Sequence, residues 1–486
     1  MASLRQQLVS GVLYTAISKY IGIVVSLVVA GVLARLLVPD DFGIVAIATV
    51  IISFFSVFSD LGISTAIIQK NELTERELSD IFSFTVWMGV IISGIFFAGS
   101  RWIAEYYDKE VLMSLCRILS VNLLFATINI VPNGLLSRAK RFKYLAVVRL
   151  SVQIVCGTAA VIAALSGLGL YSLLINPVFS SIFIFLASYR AYPQKFRLFF
   201  NWGALRKIFN YSLFQFLFSI VNYFSNNLDK LLIGKYMTMS DLGYYEKSYR
   251  LMTIPLQNIT YVVTPVMHPV FSDFQNDKVQ LATSYEKVVR FMSFIGFPLG
   301  IILFFAAREM MLIVYGMQWE PSVPVFRILS ITVGIQIVLM TSGSIFQASN
   351  DTKSLFICGT FSAITNVSGV LAGIFFFHDL ESIAWCLTVT YTINFIQCYW
   401  RMYAVTFKRS IVPFIKAMIS PVMCSIILIA VMIPVYLLLK GENIFLTLAV
   451  KGVIFVAVCV GYVQLTKEYD PIGWCRKKIR AIRGTF

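Results

Sequence analysis

Apolar runs of about 20 residues or more recur along the chain from near residue 8 to near residue 464, and the polar connections between them are very short. A helix rises 1.5 Å per residue, so about 20 apolar residues cross the ~30 Å hydrocarbon layer of a bilayer. The runs predict helices at 9–37, 42–68, 79–103, 112–136, 144–166, 169–189, 207–236, 248–271, 286–307, 322–347, 354–377, 380–404, 412–437 and 443–464. The predicted fold class is therefore all-α and polytopic, with about 14 transmembrane helices. Little chain is left outside the membrane. That excludes a soluble catalytic domain, a receptor ectodomain and a nucleotide-binding domain, and leaves work done within the bilayer.

Composition agrees. Of 486 residues, 58% are hydrophobic and 13% charged, against about 25% charged in a soluble domain. The first ten residues carry only Arg5 as a charged group, and no small-residue cleavage site follows, so the first run reads as a retained helix rather than a removed signal. The eight cysteines show no paired-motif spacing, and all but Cys475 lie within apolar runs, where cysteine acts as a small hydrophobe.

The net charge of +16 is mostly a sidedness signal. With the N-terminus inside, the internal connections carry Arg138, Lys140, Arg141 and Lys143, then Arg190, Lys195, Arg197, Arg206 and Lys207, and the tail carries six more cations from Lys467 to Arg483. The external connections hold few. Short cytoplasmic loops accumulate Lys and Arg, so both termini are expected to be cytoplasmic. No nucleic-acid partner is expected.

The longest internal connection separates the first twelve runs into six and six. The expected organisation is an N-lobe at 1–189, a cytoplasmic linker at 190–206, a C-lobe at 207–404, two peripheral helices within 405–464 and a basic cytoplasmic tail at 465–486. A faint echo links the two lobes. RLLVPDDFG at 35–43 and KYMTMSDLG at 235–243 share Asp41 with Asp241 and Gly43 with Gly243, and Arg35 matches Lys235. Parallel repeats of this kind place a transporter's site between two halves.

No metalloprotease, P-loop, dinucleotide or nucleophile-elbow motif occurs, and no enzyme is expected. The informative residues are polar ones inside the apolar runs. Thr15, Lys19, Gly22 and Ser26 share a helix face, as do Ser53, Ser56 and Asp60. Asn122, Asn129 and Asn133 are compatible with one face. Ser219, Asn222, Asn226 and Lys230 form another, with Asp229 beside it, and Gln257, Tyr261, Thr264 and His268 a fifth. Polar groups at this depth are costly and face a bundle interior or a water-filled cavity. Each stripe could instead be interhelical glue. The buried charges are mainly cations: Lys19, Arg149, Lys230, Arg290, Arg327 and Lys451. A cationic cavity suits an anionic cargo, because arginine grips phosphate bidentately. Alternatively, Arg149, Arg290 and Arg327 lie within two turns of a helix end and could snorkel to the interface. Asp60 and Asp229 are candidates to carry a coupling H⁺ or Na⁺, or to pair with neighbouring cations. No other cofactor and no metal site are expected.

Four segments carry a resemblance: RLLVPDDFGIVAI (35–47), FSDLGISTAIIQ (58–69), RAKRFKYLAV (138–147) and NLDKLLIGKYMTMSDLGYYEKSYRL (227–251). Together they resemble the polysaccharide transporter family of the multidrug/oligosaccharidyl-lipid/polysaccharide exporter superfamily, in particular Wzx-type flippases of colanic-acid and teichuronic-acid type. The resemblance covers nearly the whole chain. It implies two pseudo-symmetric six-helix lobes plus two C-terminal helices in a bacterial plasma membrane. It also implies ion-driven alternating access that carries an undecaprenyl-diphosphate-linked oligosaccharide from inner to outer leaflet. Membrane lipids, a polysaccharide polymerase and a chain-length regulator are the implied partners. On this reading Lys19, Arg149 or Arg290 would take the diphosphate on the inner side, Lys230 and Arg327 on the outer side, and the Asn stripes would bond sugar hydroxyls. A cation-coupled multidrug exporter would favour an acidic cavity instead. A polymerase would present a large external loop, and a non-transporting component of a synthesis complex would translocate no lipid.

Overall fold

A computed structural model describes residues 4–468 of the protein except 61, 70, 71, 204–219, 221, 225, 273, 276 and 440; at 4–15, 60, 69, 260–266, 268–270 and 272 the backbone alone is described. All regular structure among the described residues is helical. The chain divides into two compact units, Met1–Glu246 with Val314–Gln318, and Lys247–Ile313 with Trp319–Phe486.

The first unit holds α1 (Leu4–Leu36), α2 (Pro39–Asp60), α3 (Ile63–Gln69), α4 (Glu75–Tyr106), α5 (Val111–Ile128), α6 (Ile130–Arg138), α7 (Phe142–Leu165), α8 (Ser172–Ala191), α9 (226–236) and the first turns of α10 (Met239–Ser272). Local chemistry sets these boundaries. Pro39 opens α2 with its φ already helical, and Asp40 and Asp41 complement the dipole there. Thr74 and Glu77 close a capping box on α4. The expected fourth run is two helices rather than one. Pro132 has no N–H to offer the preceding turn, and the helix breaks at Asn129.

The faint repeat becomes a reciprocal contact in this unit. A β-carbon on Gly43 would lie 1.8 Å from the Met239 carbonyl oxygen, and one on Gly243 would lie 2.3 Å from the Pro39 carbonyl oxygen. Pro39 and Met239 are themselves equivalent positions of the repeat. The caps match as well: the Val38 N–H donates to Asp41 Oδ2 at 3.4 Å, and the Thr238 N–H to Asp241 Oδ2 at 3.2 Å. The cation at each copy reaches the carbonyl end of another helix. Arg35 Nη1 donates to the Val314 carbonyl at 3.2 Å, and Lys235 Nζ donates to the Tyr106 carbonyl. Cations are favoured at helix C-termini, where carbonyls lack intrahelical partners.

The second unit holds the rest of α10, then α11 (Lys278–Phe305), most of α12 (Ala307–Tyr315), α13 (Ser322–Ser330), α14 (Val333–Leu339), α15 (Ser342–Ala348), α16 (Thr352–Ala372), α17 (Leu380–Arg401), α18 (Val412–Leu438) and α19 (Ile444–Leu465). The chain bends by 51° between Ser322–Ser330 and Val333–Ala348. Gly296 and Gly300 let α11 approach α14 closely: a β-carbon at Gly296 would lie 3.1 Å from the Gly334 carbonyl oxygen. Amides join α16 to α17: Asn394 Nδ2 donates to Asn366 Oδ1 at 3.0 Å, and Asn394 Oδ1 accepts from Thr365 Oγ1 at 2.8 Å.

Ten helices among the described residues are long and apolar enough to cross a membrane, or eleven if the bent pair is one span. The chain is thus an all-helical, multi-pass membrane protein. The expected count is about 14, and half of the expected seventh run, 207–219 with 221 and 225, lies outside the described residues. Helices also stand at the expected eighth and twelfth runs, as α10 and α17, but polar residues keep both out of the count. α10 carries Gln257 and Asn258 with three prolines; α17 carries Thr388, Thr390, Thr392, Asn394 and Gln397.

Two predictions follow from this packing. Gly43→Ala sets a methyl group into a backbone carbonyl that no rotamer can move, so about 1–3 kcal/mol or more of stability is lost. Gly94→Ala, where a β-carbon meets open space, loses none. Thermal unfolding in detergent compares the two. The second prediction concerns Asp351, which caps α16 outside the spans. Partial burial pushes its carboxyl up, but hydrogen bonds from Thr406 Oγ1, the Ser354 N–H and the Ser354 side chain, with the Arg401 charge, outweigh that and leave it below its ordinary value. A depressed carboxyl contributes stability above its unfolded-state pKa of about 3.9 and loses it as pH falls through the lower folded value. Unfolding midpoints measured between pH 7 and pH 3 are expected to fall less steeply for Asp351→Asn than for the parent.

Candidate functional site

Ionisable groups collect where α9 meets the first turns of α10. Lys230 and Asp229 are adjacent on α9, and Glu246 and Tyr245 are adjacent on α10. Lys230 Nζ stands 2.7 Å from Glu246 Oε2, with the two side chains 14% and 24% exposed. The Tyr245 hydroxyl donates to Asp229 Oδ2 at 2.7 Å. The other oxygen, Asp229 Oδ1, is buried and accepts no hydrogen bond among the described residues. Two carboxylates and one ammonium leave one negative charge in a low-dielectric setting, where an uncompensated carboxylate is costly. One turn earlier, Asn226 Nδ2 donates to the Asn222 carbonyl at 2.7 Å and to Asn222 Oδ1 at 2.9 Å, and both amides are exposed.

A second polar group of the first unit surrounds the α5–α6 break. Arg149 on α7 is exposed and donates from Nη2 to Asn133 Oδ1 at 3.0 Å. Its partner is a neutral amide, so its charge stays uncompensated. Asn129 Oδ1, at the break itself, is buried with no hydrogen-bond partner. Asn122 instead donates to the Pro177 carbonyl at 2.6 Å and joins α5 to α8. Asn122, Asn129 and Asn133, one stripe by spacing, thus meet three different fates.

The remaining candidates separate similarly. Lys19 is half-buried on α1, one turn before the Gly22 carbonyl that accepts from Gln153 Nε2 at 2.8 Å. Ser53 and Ser56 are bonded back to carbonyls of their own helix. In the second unit Gln257 is exposed. Arg290 is engaged bidentately by Glu468, with Nε 3.0 Å from Oε2 and Nη2 2.5 Å from Oε1. Arg327 lies over the rings of Phe304 and Tyr436, 5.8 Å from each centroid. Lys451, 1% exposed, pairs with Glu309 Oε1 at 2.7 Å. The side chains of Thr15, Asp60, Tyr261, Thr264 and His268, and all of Ser219, lie outside the described residues.

The partners Glu246, Tyr245 and Glu468 had no place in the sequence expectation. For the first two a signal existed: Thr238-x-x-Asp241 has capping-box spacing and starts α10 at Met239, nine residues before the apolar run expected from 248. Glu468 had none, because its partner is 178 residues away.

Comparison with known proteins is consistent over most of the chain. A family described as "Polysaccharide biosynthesis protein" matches residues 32–324. The teichuronic acid biosynthesis protein TuaB of Bacillus subtilis is 24% identical over 430 residues, covering 87% of each chain. The lipopolysaccharide biosynthesis protein WzxC of Escherichia coli is 23% identical over 380 residues, covering 76% of each. Among solved structures, the lipid II flippase MurJ in an inward closed conformation superposes with a TM-score of 0.73 at 14% identity, covering 93% of this chain and 98% of that one. At that identity the likeness is one of fold.

The α9–α10 pair generates a mutational prediction. Removing one partner of a buried pair costs about 3–5 kcal/mol, because a charge is left stranded; partial exposure here places the expected cost toward or below the lower end. Lys230→Ala is therefore expected to lower the unfolding midpoint more than the double variant Lys230→Ala/Glu246→Ala. A thermal-melt double-mutant cycle in detergent measures the difference.

Proposed function

The chain belongs to the polysaccharide biosynthesis protein family, and from that premise we propose that it is a lipid-linked oligosaccharide flippase. Its cargo is an undecaprenyl-diphosphate-linked repeat unit, moved from the inner to the outer leaflet of a bacterial plasma membrane by alternating access. On this reading the chain has fourteen spans, arranged as two six-helix lobes with α18 and α19 peripheral, and both termini are cytoplasmic. Cargo handling requires no covalent chemistry of the protein. It requires groups that grip a diphosphate, groups that bond hydroxyls, and a route that lets the lipid tail stay in the bilayer.

One observation carries this reading: among the described residues Arg149, Asn222 and Asn226 are exposed, whereas Glu246, Glu309 and Asp229 are engaged. Arg149 is open and held only by the neutral Asn133, and Asn222 and Asn226 are open. Glu246 faces Lys230, Glu309 faces Lys451, and Asp229 holds Tyr245. Arg149 would bind the diphosphate with Lys19, and the amide pair would bond sugar hydroxyls. A cationic-drug exporter needs the reverse, with carboxylates open to the cavity. Asp229 is the group through which an H⁺ or Na⁺ gradient would act, because its free oxygen is buried beside a satisfied ion pair. A polymerase and a chain-length regulator are the partners such a carrier would feed.

Charge-assisted hydrogen bonds contribute about 1.5–3 kcal/mol, so Arg149→Ala is expected to slow translocation roughly tenfold to hundredfold at unchanged expression. The measurement is flipping of a fluorescent undecaprenyl-diphosphate glycan in proteoliposomes, with exopolysaccharide export followed in cells. Parental rates in Arg149→Ala would refute the role given to this arginine. Absence of lipid translocation by the parent protein would favour a non-transporting component.

A further inference from the structure

In the second unit, α18 and α19 are tied to α11 and α12 through one tyrosine flanked by two cations. Tyr436 on α18 has Lys451 Nζ 5.2 Å and the Arg327 guanidinium 5.8 Å from its ring centroid. The two cations are in opposite circumstances. Lys451 is 1% exposed, and Glu309 Oε1 at 2.7 Å and the Phe305 carbonyl at 2.8 Å satisfy it. Arg327 is half-buried and has only aromatic faces as neighbours, Phe304 and Tyr436; no carboxylate or hydrogen-bond acceptor meets it among the described residues. Arg327, Lys451 and Glu309 together leave one positive charge.

A guanidinium presents five N–H donors in a planar fork. Ring faces stabilise its charge but accept none of those hydrogen bonds in the plane of the fork. Arg327 is the sixth residue of α13, about 8 Å along a helix that rises 1.5 Å per residue. A phosphate group supplies what the site lacks, namely several acceptor oxygens in a geometry that matches the fork, plus the missing negative charge.

We propose that Arg327, backed by Phe304 and Tyr436, binds the phosphate group of an anionic lipid at the junction of α11, α13 and α18. The inference does not rest on the flippase reading. Two sources share this chemistry: a bilayer phospholipid, and the diphosphate of an isoprenoid lipid. Lys451, held by Glu309, is the support, since it keeps Tyr436 in place beside Arg327.

The test uses the full-length protein in detergent, with thermal unfolding and native mass spectrometry as readouts. The probes are dioleoylphosphatidylglycerol, dioleoylphosphatidylcholine and undecaprenyl diphosphate. The parent is expected to retain phosphatidylglycerol about tenfold better than Arg327→Gln, and phosphatidylcholine equally poorly in both. Arg327→Lys keeps the charge without the fork and is expected to fall between them; it is the variant read if Arg327→Gln does not fold. A loss confined to phosphatidylglycerol identifies a bilayer lipid as the ligand, and a loss confined to undecaprenyl diphosphate identifies the isoprenoid lipid. Equal retention of both anionic probes by the parent and the folded variant overturns the proposal. Neither readout involves translocation, so this result is independent of the transport assay.

Discussion

The contact on which most of the first unit depends is one between backbones. Gly43 meets the Met239 carbonyl and Gly243 meets the Pro39 carbonyl, each at a distance that leaves no room for a β-carbon. In a bilayer the lipid is as apolar as a leucine side chain, so burying leucine gains little, and helices associate through close packing and polar contacts instead. Two glycines in reciprocal contact supply that packing and fix the α1–α2 corner against the α9–α10 corner. The consequences follow locally. With the corners locked, Arg35 and Lys235 reach the carbonyl ends of other helices. α10 begins at Met239, so its second turn carries Tyr245 and Glu246 onto Asp229 and Lys230.

Membrane depth then divides the charged groups into those that are settled and those that remain available. Arg290 with Glu468, Lys230 with Glu246 and Lys451 with Glu309 are settled by carboxylates. Arg149 and Arg327 are settled by neutral groups only, an amide and two aromatic rings. Keeping an uncompensated cation in or near hydrocarbon costs free energy, and no carboxylate among the described residues offsets that cost at these two positions. An external anion does. Charge by itself therefore marks neither position as functional; the missing counter-charge does.

The sequence made the apolar helices legible and left their partnerships hidden. α4, α18 and α19 were visible because an uninterrupted apolar run of about 20 residues has few other uses. The start of α10 was not, because Tyr-Tyr-Glu-Lys at 244–247 is too polar to extend the apolar run expected from 248. The Asn stripe of the fourth run was sound as helical geometry. Spacing does not report that Pro132 interrupts the helix at Asn129 or that Pro177 offers its carbonyl to Asn122, so the three amides have different surroundings. Arg290 and Glu468 belong to different elements, and no local pattern can announce a contact of that kind. The repeat is the opposite case: two shared residues out of nine were weak statistics, yet one of them, the glycine, is what the reciprocal contact demands.

The same physics accounts for the attachment of the last two helices. α18 and α19 have lipid-facing apolar surfaces, which gives them little hydrophobic reason to prefer α11 over lipid. α11 ends at Phe305, where the helical ladder is interrupted and a carbonyl is left without its usual donor. Lys451 serves that carbonyl and Glu309 at once. A buried ion pair is a poor source of net stability, because desolvation offsets most of its attraction. It is a strong source of register, since any shift of α19 along α11 would strand an ammonium and a carboxylate together. Tyr436 lies within that fixed register, 5.8 Å from the Arg327 guanidinium on α13. One buried ion pair thereby sets both the height of α18 and α19 against α11 and the aromatic neighbour that Arg327 meets.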